Sequence, residues 1–213
     1  MPDYHSIRRR DEALKRGLDV SLAALGIVLT VPVTVPALIL ATIDTRKPGL
    51  FRQERIGRHG EPFEVLKIRT MRPSAATTTV TTSHDPRITR LGAVLRRLKI
   101  DELPQLINVL RGEMSLVGPR PDVRGFADLL EGDDRRILDL RPGITGPAAL
   151  AYRHEQELLA KVSDPVAYNR DVVWPDKVRI NLSYMDHYSL KTDIRCIVDT
   201  VASIFKRGTG QMA

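Results

Sequence analysis

From Val20 to Ile43 the chain runs through 24 residues without a charge, VSLAALGIVLTVPVTVPALILATI. A helix rises 1.5 Å per residue, so such a segment reaches roughly 35 Å, enough to cross the hydrocarbon core of a bilayer. A buried core helix of that length would show a polar face, and this stretch has none, so lipid is its expected surrounding. The run is too long for the core of a secretory leader, and no small-x-small cleavage pattern precedes a mature domain. Pro32 and Pro36 stand in its middle, where each removes a helical hydrogen bond and a kink is expected. Arg8, Arg9, Arg10, Lys15 and Arg16 precede the segment, and Arg46, Lys47, Arg52, Arg55 and Arg58 follow it. Positive residues favour the cytoplasmic side, so a straight span would strand one cluster. The expectation is a hairpin that enters the membrane and returns at Pro32, with Thr30 and Thr34 available to the backbone groups freed at the bend. The alternative is an ordinary proline-kinked span.

The rest of the chain reads as one domain. Its 213 residues suffice for a single core, and 42% hydrophobic content excludes both a many-span membrane protein and a disordered tail. Cys196 is the only cysteine, which excludes an intrachain disulfide and a thiolate metal cluster. A net charge of +7 points to an anionic partner: nucleic acid, phospholipid headgroups or a phosphorylated substrate. The glycine-rich and nucleophile-elbow motifs of the common nucleotide-binding and hydrolase loops do not occur.

Residues 50–72 read as two short strands around a glycine-containing turn, and 74–85 as a polar, threonine-rich loop. Ile88, Leu91, Val94, Leu95 and Leu98 recur at helical spacing, as do Leu103, Leu106, Ile107 and Leu110. A further helix is expected over 123–139, a rigid turn at Gly118–Pro121 and a loop over 141–147. Ile194, Ile197, Val198, Val201, Ile204 and Phe205 mark an amphipathic helix near the end, in the core or on a membrane surface. The expected fold class is α+β, mostly helical, with an N-terminal re-entrant membrane helix (1–46) and a small β-hairpin beside the catalytic helices of a second unit (47–213).

Asp101 and Glu102 open the second of these helices, just before Pro104. Asp is a favoured N-cap, and the helix dipole keeps a carboxylate at that end ionised. With the leucine stripe turned inward, both carboxylates are expected at an exposed helix end. An ionised carboxylate serves as a nucleophile or as a ligand for a hard metal, although capping alone explains an isolated Asp-Glu pair. Lys67, Arg69, Arg96, Arg97, Lys99, Arg120, Arg141 and Arg153 lie nearby in sequence or in turns expected to converge, and a diphosphate approaching a carboxylate needs such cations.

The blocks FRQERIGRHGEPFEVLKIRTM, ITRLGAVLRRLKIDELPQLINVLRGEMSLVGPRP and RPGITG resemble the bacterial sugar transferase family, the small monotopic phosphoglycosyl transferases. With KRGLDVSLA, the resemblance covers most of 13–205. It implies a re-entrant helix with its bend at Pro32, on the cytoplasmic face of the inner membrane. It implies that Asp101 attacks the β-phosphate of a UDP-sugar, that UMP leaves, and that a polyprenol phosphate such as undecaprenyl phosphate takes the phosphosugar, with Glu102 as ligand of Mg2+. Lys67, Arg96, Arg120 and Arg153 match phosphate- or nucleotide-contacting positions, and Arg141 lies in a family motif. Val31, Pro147 and Asn181 depart from the usual Ser, Trp and Asp, which bears on sugar choice and leaves the dyad intact. The resemblance implies no nucleic-acid partner and leaves a homodimer open. The rival readings are a membrane-tethered nucleic-acid-binding protein and an inactive scaffold of the same family.

Overall fold

Helix α1 (Arg9–Thr45) holds the whole apolar run in a computed structural model that describes residues 9–73 and 85–209. Pro32 and Pro36, expected to turn the chain, both lie inside this one uninterrupted helix. Pro32 leaves the carbonyl of Val28 without its helical donor, and Pro36 does the same to that of Pro32. Neither threonine repairs this. Thr30 Oγ1 donates to Gly26 O at 2.7 Å, and Thr34 Oγ1 is buried without a hydrogen-bond partner.

One stripe of α1 is buried: Lys15, Asp19, Ala23, Ala37, Ala41 and Thr45. Spacing of four residues keeps these side chains on one face. Strand β2 (Pro62–Ile68), helix α2 (Arg90–Arg97) and helix α3 (Gln105–Arg111) form the surface that receives this face. Ala23 packs with Val65, Val109 and Met114, and Ala37 and Ala41 with Ile68 and Leu95. The two ends of α1 thus rest on the same body. On the other side Leu25, Val28, Leu29, Val33, Ile39 and Ile43 are exposed, a continuous apolar surface of the kind that marks a membrane or protein contact.

Strand β1 (Leu50–Ile56) pairs antiparallel with β2 from Leu50↔Ile68 to Ile56↔Pro62, giving the expected hairpin. Helix α2 starts where Thr89 Oγ1 accepts from Gly92 N at 2.8 Å. Asn108 fastens α3 to β2. It is fully buried, its Oδ1 accepts from Leu66 N at 3.0 Å, and its Nδ2 donates to Glu64 O and to Glu113 Oε2, each at 2.7 Å. Arg16 of α1 donates to Val109 O and Leu110 O, the last carbonyls of α3, where a cation also meets the negative helix end.

Strand β3 (Ser115–Val117), just ahead of the turn expected at Gly118–Pro121, pairs parallel with β4 (Gly143–Thr145), which lies in the stretch expected to be loop. Three-residue strands are too short for alternation to reveal. Gly118 N donates to Thr145 O at 2.9 Å and Gly143 N to Pro119 O at 2.7 Å. A Cβ at Gly143 would fall on the backbone of Gly118, so only glycine permits this approach. Residues 123–139 are not the expected α-helix. They form 3-10 turns at Ala127–Leu129 and Gly132–Asp139, because Gly125 and Gly132 take φ of 95° and 55° and interrupt helical progression.

Helices α4 (Pro147–Ala151), α5 (Glu155–Leu159), α6 (Pro165–Tyr168), α7 (Trp174–Asp186) and α8 (Leu190–Thr209) complete the fold. Helix α7 closes a core over Ile56, Ala127, Ile137 and Leu138 through Val178. Helix α8 buries Asp193 and Cys196 and exposes Ile194, Val198 and Val201, so its apolar residues are divided between the core and the surface. The threonine-rich stretch 77–82 and the side chains of Ile204 and Phe205 lie outside the described residues.

Candidate active site

Helix α2 ends in a reversal that aims the dyad. Lys99 takes the left-handed conformation, φ 58° and ψ 17°, and Ile100–Glu102 form a 3-10 turn ahead of α3. Left-handed backbone costs a non-glycine residue roughly 1–2 kcal/mol. Pro104, not Asp101, occupies the N-cap of α3, and no side chain caps it. The expected exposed helix end is therefore absent. Asp101 and Glu102 are each only 8% exposed, because the 3-10 turn rotates them toward β2, while Ile107 and Leu110 of the leucine stripe face outward.

The buried carboxylates differ in charge state. Glu102 Oε1 accepts from Arg120 Nη2 at 2.5 Å, and Lys99 Nζ lies 3.8 Å from Oε2. Burial alone would raise the Glu102 pKa, but Arg120, Lys99 and Lys67 outweigh it and hold this carboxyl far below its usual range. Asp101 is pushed up to about 6 by burial and then by the neighbouring Glu102 charge, against the pull of Lys67, Lys99 and Arg96. Lys67 is brought down to about 7, by burial first and by Arg120 second, with Glu102 opposing.

Three polar atoms here are buried without partners: Asp101 Oδ1, Arg96 Nη1 and Gln105 Nε2. Arg96 is held by its other nitrogens, Nε donating to Thr70 Oγ1 at 2.9 Å and Nη2 to Met71 Sδ at 3.1 Å, which leaves Nη1 unspent beside the Asp101 charge. Gln105 follows Asp101 by about one turn of helix. Buried polar groups are nearly always paired, so an acceptor and two donors left over mark a place for an anionic ligand beside a carboxylate.

The structure thus gathers Lys67, Arg96, Asp101, Glu102 and Arg120 of the residues expected from sequence. It spends others elsewhere. Arg69 Nε donates to Pro48 O at 2.9 Å, and its guanidinium lies 4.9 Å over the Phe51 ring. Arg141 donates to Gly112 O and to Glu12 Oε1, each at 3.1 Å, tying the RPGITG block to the start of α1. Arg153 sits exposed after α4 and is not among the charges acting most strongly on the dyad. Sequence reasoning passed over Gln105, Arg55 and Asp122. Arg55 was counted only as a flanking charge, yet its Nη1 donates to Pro121 O at 3.3 Å, and burial with Arg120 nearby lowers it to about 10. Asp122 directly follows the GPRP turn, which was the available signal.

Among the described residues no three His, Cys, Asp or Glu side chains converge on a metal position. Glu102 Oε1 is taken by Arg120, while its Oε2 lies 3.8 Å from Lys99 Nζ, and such a carboxylate oxygen fits a Mg2+ ion that brings phosphate and water ligands of its own, the usual habit of this ion.

A family described as bacterial sugar transferase matches residues 10–207. The UDP-glucose:undecaprenyl-phosphate glucose-1-phosphate transferase of Caulobacter vibrioides is 36% identical over 195 residues, covering 89% of this chain and 69% of that protein. The exopolysaccharide production protein PSS of Rhizobium leguminosarum bv. phaseoli is 34% identical over 211 residues, covering 94% of this chain and 99% of its own length. The UDP-N-acetylgalactosamine-undecaprenyl-phosphate N-acetylgalactosaminephosphotransferase of Aeromonas hydrophila is 31% identical over 198 residues, 90% of this chain and 43% of that protein.

Proposed function

The chain belongs to the bacterial sugar transferase family, and on that footing we propose that it moves a sugar-1-phosphate from a UDP-sugar to a polyprenol phosphate such as undecaprenyl phosphate, releasing UMP. The observation that carries the reading is the buried, unpartnered Asp101 Oδ1 beside a cluster of half-buried cations. Asp101 attacks the β-phosphorus, the bond from that phosphorus to the bridging oxygen breaks, and UMP leaves with the electron pair. The product on the enzyme is an acyl phosphate bearing the sugar. A phosphate oxygen of the polyprenol then attacks the same phosphorus, and the Asp101 carboxylate is released.

Lys67, Arg96 and Arg120 meet the charge on the diphosphate, which would otherwise be repelled by the dyad. Arg120 is shared with Glu102, which holds its fork in place. A Mg2+ ion would be held by Glu102 and would supply charge neutralisation on the phosphate oxygens. The water-poor setting that raises Asp101 also makes it a stronger nucleophile once ionised.

The second substrate lies in a membrane, and α1 supports a matching position for the enzyme. Its buried stripe meets one body at both ends, so both basic flanks belong on one side, and its apolar outer face then lies within the cytoplasmic leaflet. Single cysteines at Leu14 and Lys47 in a Cys196→Ser background should react with an impermeant thiol reagent only after lysis. Reaction of one of them in intact cells would mean a full span.

The activity is tested with the full chain in detergent, a panel of UDP-sugars, Mg2+ and undecaprenyl phosphate, measuring UMP. Without acceptor, mass spectrometry should find a phosphosugar on Asp101, absent in Asp101→Asn. UMP release from no donor would overturn the activity, and an adduct on another residue would overturn the nucleophile.

A further inference from the structure

Arg120 reaches Glu102 from the turn that follows β3. Strand β3 has three residues and β4 as its one partner strand, and two short strands by themselves are marginally stable at best. The remaining hold on its backbone comes from α1. Asp19 Oδ1 accepts from Leu116 N at 3.0 Å, and Lys15 Nζ donates to Val117 O at 2.9 Å. The two side chains stand four residues apart on the buried stripe of α1. Asp193 of α8 accepts from the same ammonium at 2.6 Å and fixes its direction. Arg120 follows Val117 by three residues, through Gly118, whose N donates to Thr145 O, and Pro119, whose O accepts from Gly143 N. The ring of Pro119 also restricts its backbone. A shift of β3 is therefore carried to the guanidinium with little slack. None of the chemical steps above uses Lys15 or Asp19.

We propose that Lys15 and Asp19 are positioning residues for Arg120: the long apolar helix holds the strand that aims the guanidinium, so that the seat of α1 and the geometry of the dyad are set together. Apolar packing alone would not do this. Ala23, one turn beyond Asp19, meets Val65, Val109 and Met114, and such contacts are non-directional. Hydrogen bonds to two consecutive residues of β3, one to a donor and one to an acceptor, fix both its register and its distance from α1. The proposal rests on the transfer reading given above, in which Arg120 meets the charge on the diphosphate, and the test separates the two.

The full chain in detergent is prepared as wild type, Asp19→Ala, Asp19→Asn, Arg16→Met, and Lys15→Met combined with Asp193→Leu. UMP release at saturating donor, chemical unfolding and amide hydrogen exchange are measured on the same samples. The combined variant removes the donor to Val117 O without leaving a buried charge unpaired. It is expected to keep much of the wild-type stability and still to lose about tenfold or more in kcat. Asp19→Ala is expected to lose about as much, whereas Asp19→Asn, which keeps an acceptor oxygen, stays within about threefold of wild type. In the combined variant and in Asp19→Ala, residues 115–120 are expected to exchange about tenfold faster, with Trp174–Asp186 unchanged. Arg16→Met loosens α1 from α3 without touching β3, and its kcat is expected within about threefold of wild type. Wild-type kcat in the combined variant, unchanged exchange over 115–120, equal losses in Asp19→Asn and Asp19→Ala, or an equal loss in Arg16→Met would overturn the positioning role. If Asp19→Ala does not fold, the combined variant decides. If the wild type releases UMP from no donor, the transfer reading fails by itself, and the hold of α1 on β3 is judged by exchange alone.

Discussion

Lys15 Nζ lies 2.6 Å from Asp193 Oδ2, a buried ion pair that joins α1 to α8 across 178 residues. Lys15 also donates to Val117 O at 2.9 Å, and Tyr184 donates to the other Asp193 oxygen. Removing one partner of such a pair leaves an uncompensated buried charge. Lys15→Met should therefore cost about 3–5 kcal/mol in chemical unfolding, and Lys15→Met with Asp193→Leu should recover much of it. A cost below about 1 kcal/mol for the single variant would show the pair to be dispensable.

Asp101→Asn should abolish turnover and raise stability. The folded Asp101 keeps its proton up to about pH 6, whereas the unfolded one releases it near 3.8. Between these values the folded state binds the extra proton, so stability falls as pH rises, and the full penalty persists above pH 6. Asparagine removes it, so the variant should gain about 1–3 kcal/mol at pH 7.5 and little at pH 3.5. Equal stability at both values would contradict the burial argument.

The pH dependence of kcat/KM should be narrow. Activity rises as Asp101 ionises around pH 6 and falls as Lys67 loses its charge near pH 7. Lys67→Arg keeps a cation at every working pH. It should lower the maximum and move the alkaline decline upward. A decline unmoved by this substitution would assign that limb to another group.

Lys99→Gly separates backbone from charge. Glycine takes the left-handed turn without steric cost and loses entropy in exchange, so stability should change by less than about 1 kcal/mol. The cation acting on Asp101 and Glu102 is lost, and turnover should fall about tenfold, equivalent to about 1.4 kcal/mol of the barrier. Lys99→Asn, which also tolerates this turn, should behave alike.

The β1–β2 hairpin and α2 were legible because their apolar residues repeat over a long enough stretch, Phe63, Val65 and Ile68 in the one and Leu91, Val94 and Leu95 in the other. The dyad was legible as a motif but not in its setting. No periodicity reveals that a left-handed Lys99 turns Asp101 inward, or that Gly118 and Gly143 meet backbone to backbone to aim Arg120. Counting charges along the chain also misses what several of them hold. Lys15, Arg16 and Arg58 enter the sequence reading only as basic flanks of the apolar run, yet each is bonded to a group of the fold, Arg58 to Glu12 and Asp139. Arg69 and Arg141 are engaged by the fold in a like way, each donating to a backbone carbonyl, since a guanidinium satisfies loop carbonyls as readily as phosphates.

The buried stripe of α1 has a practical corollary for anyone wishing to work with a water-soluble fragment. Cutting the chain after Thr45 would uncover Val65, Val109 and Met114 at one end and Ile68 and Leu95 at the other. It would also strip Asp193 of its lysine and the last carbonyls of α3 of Arg16. The first helix is a wall of the enzyme rather than a detachable tether, so truncation would yield aggregates where a detergent-solubilised whole would yield protein.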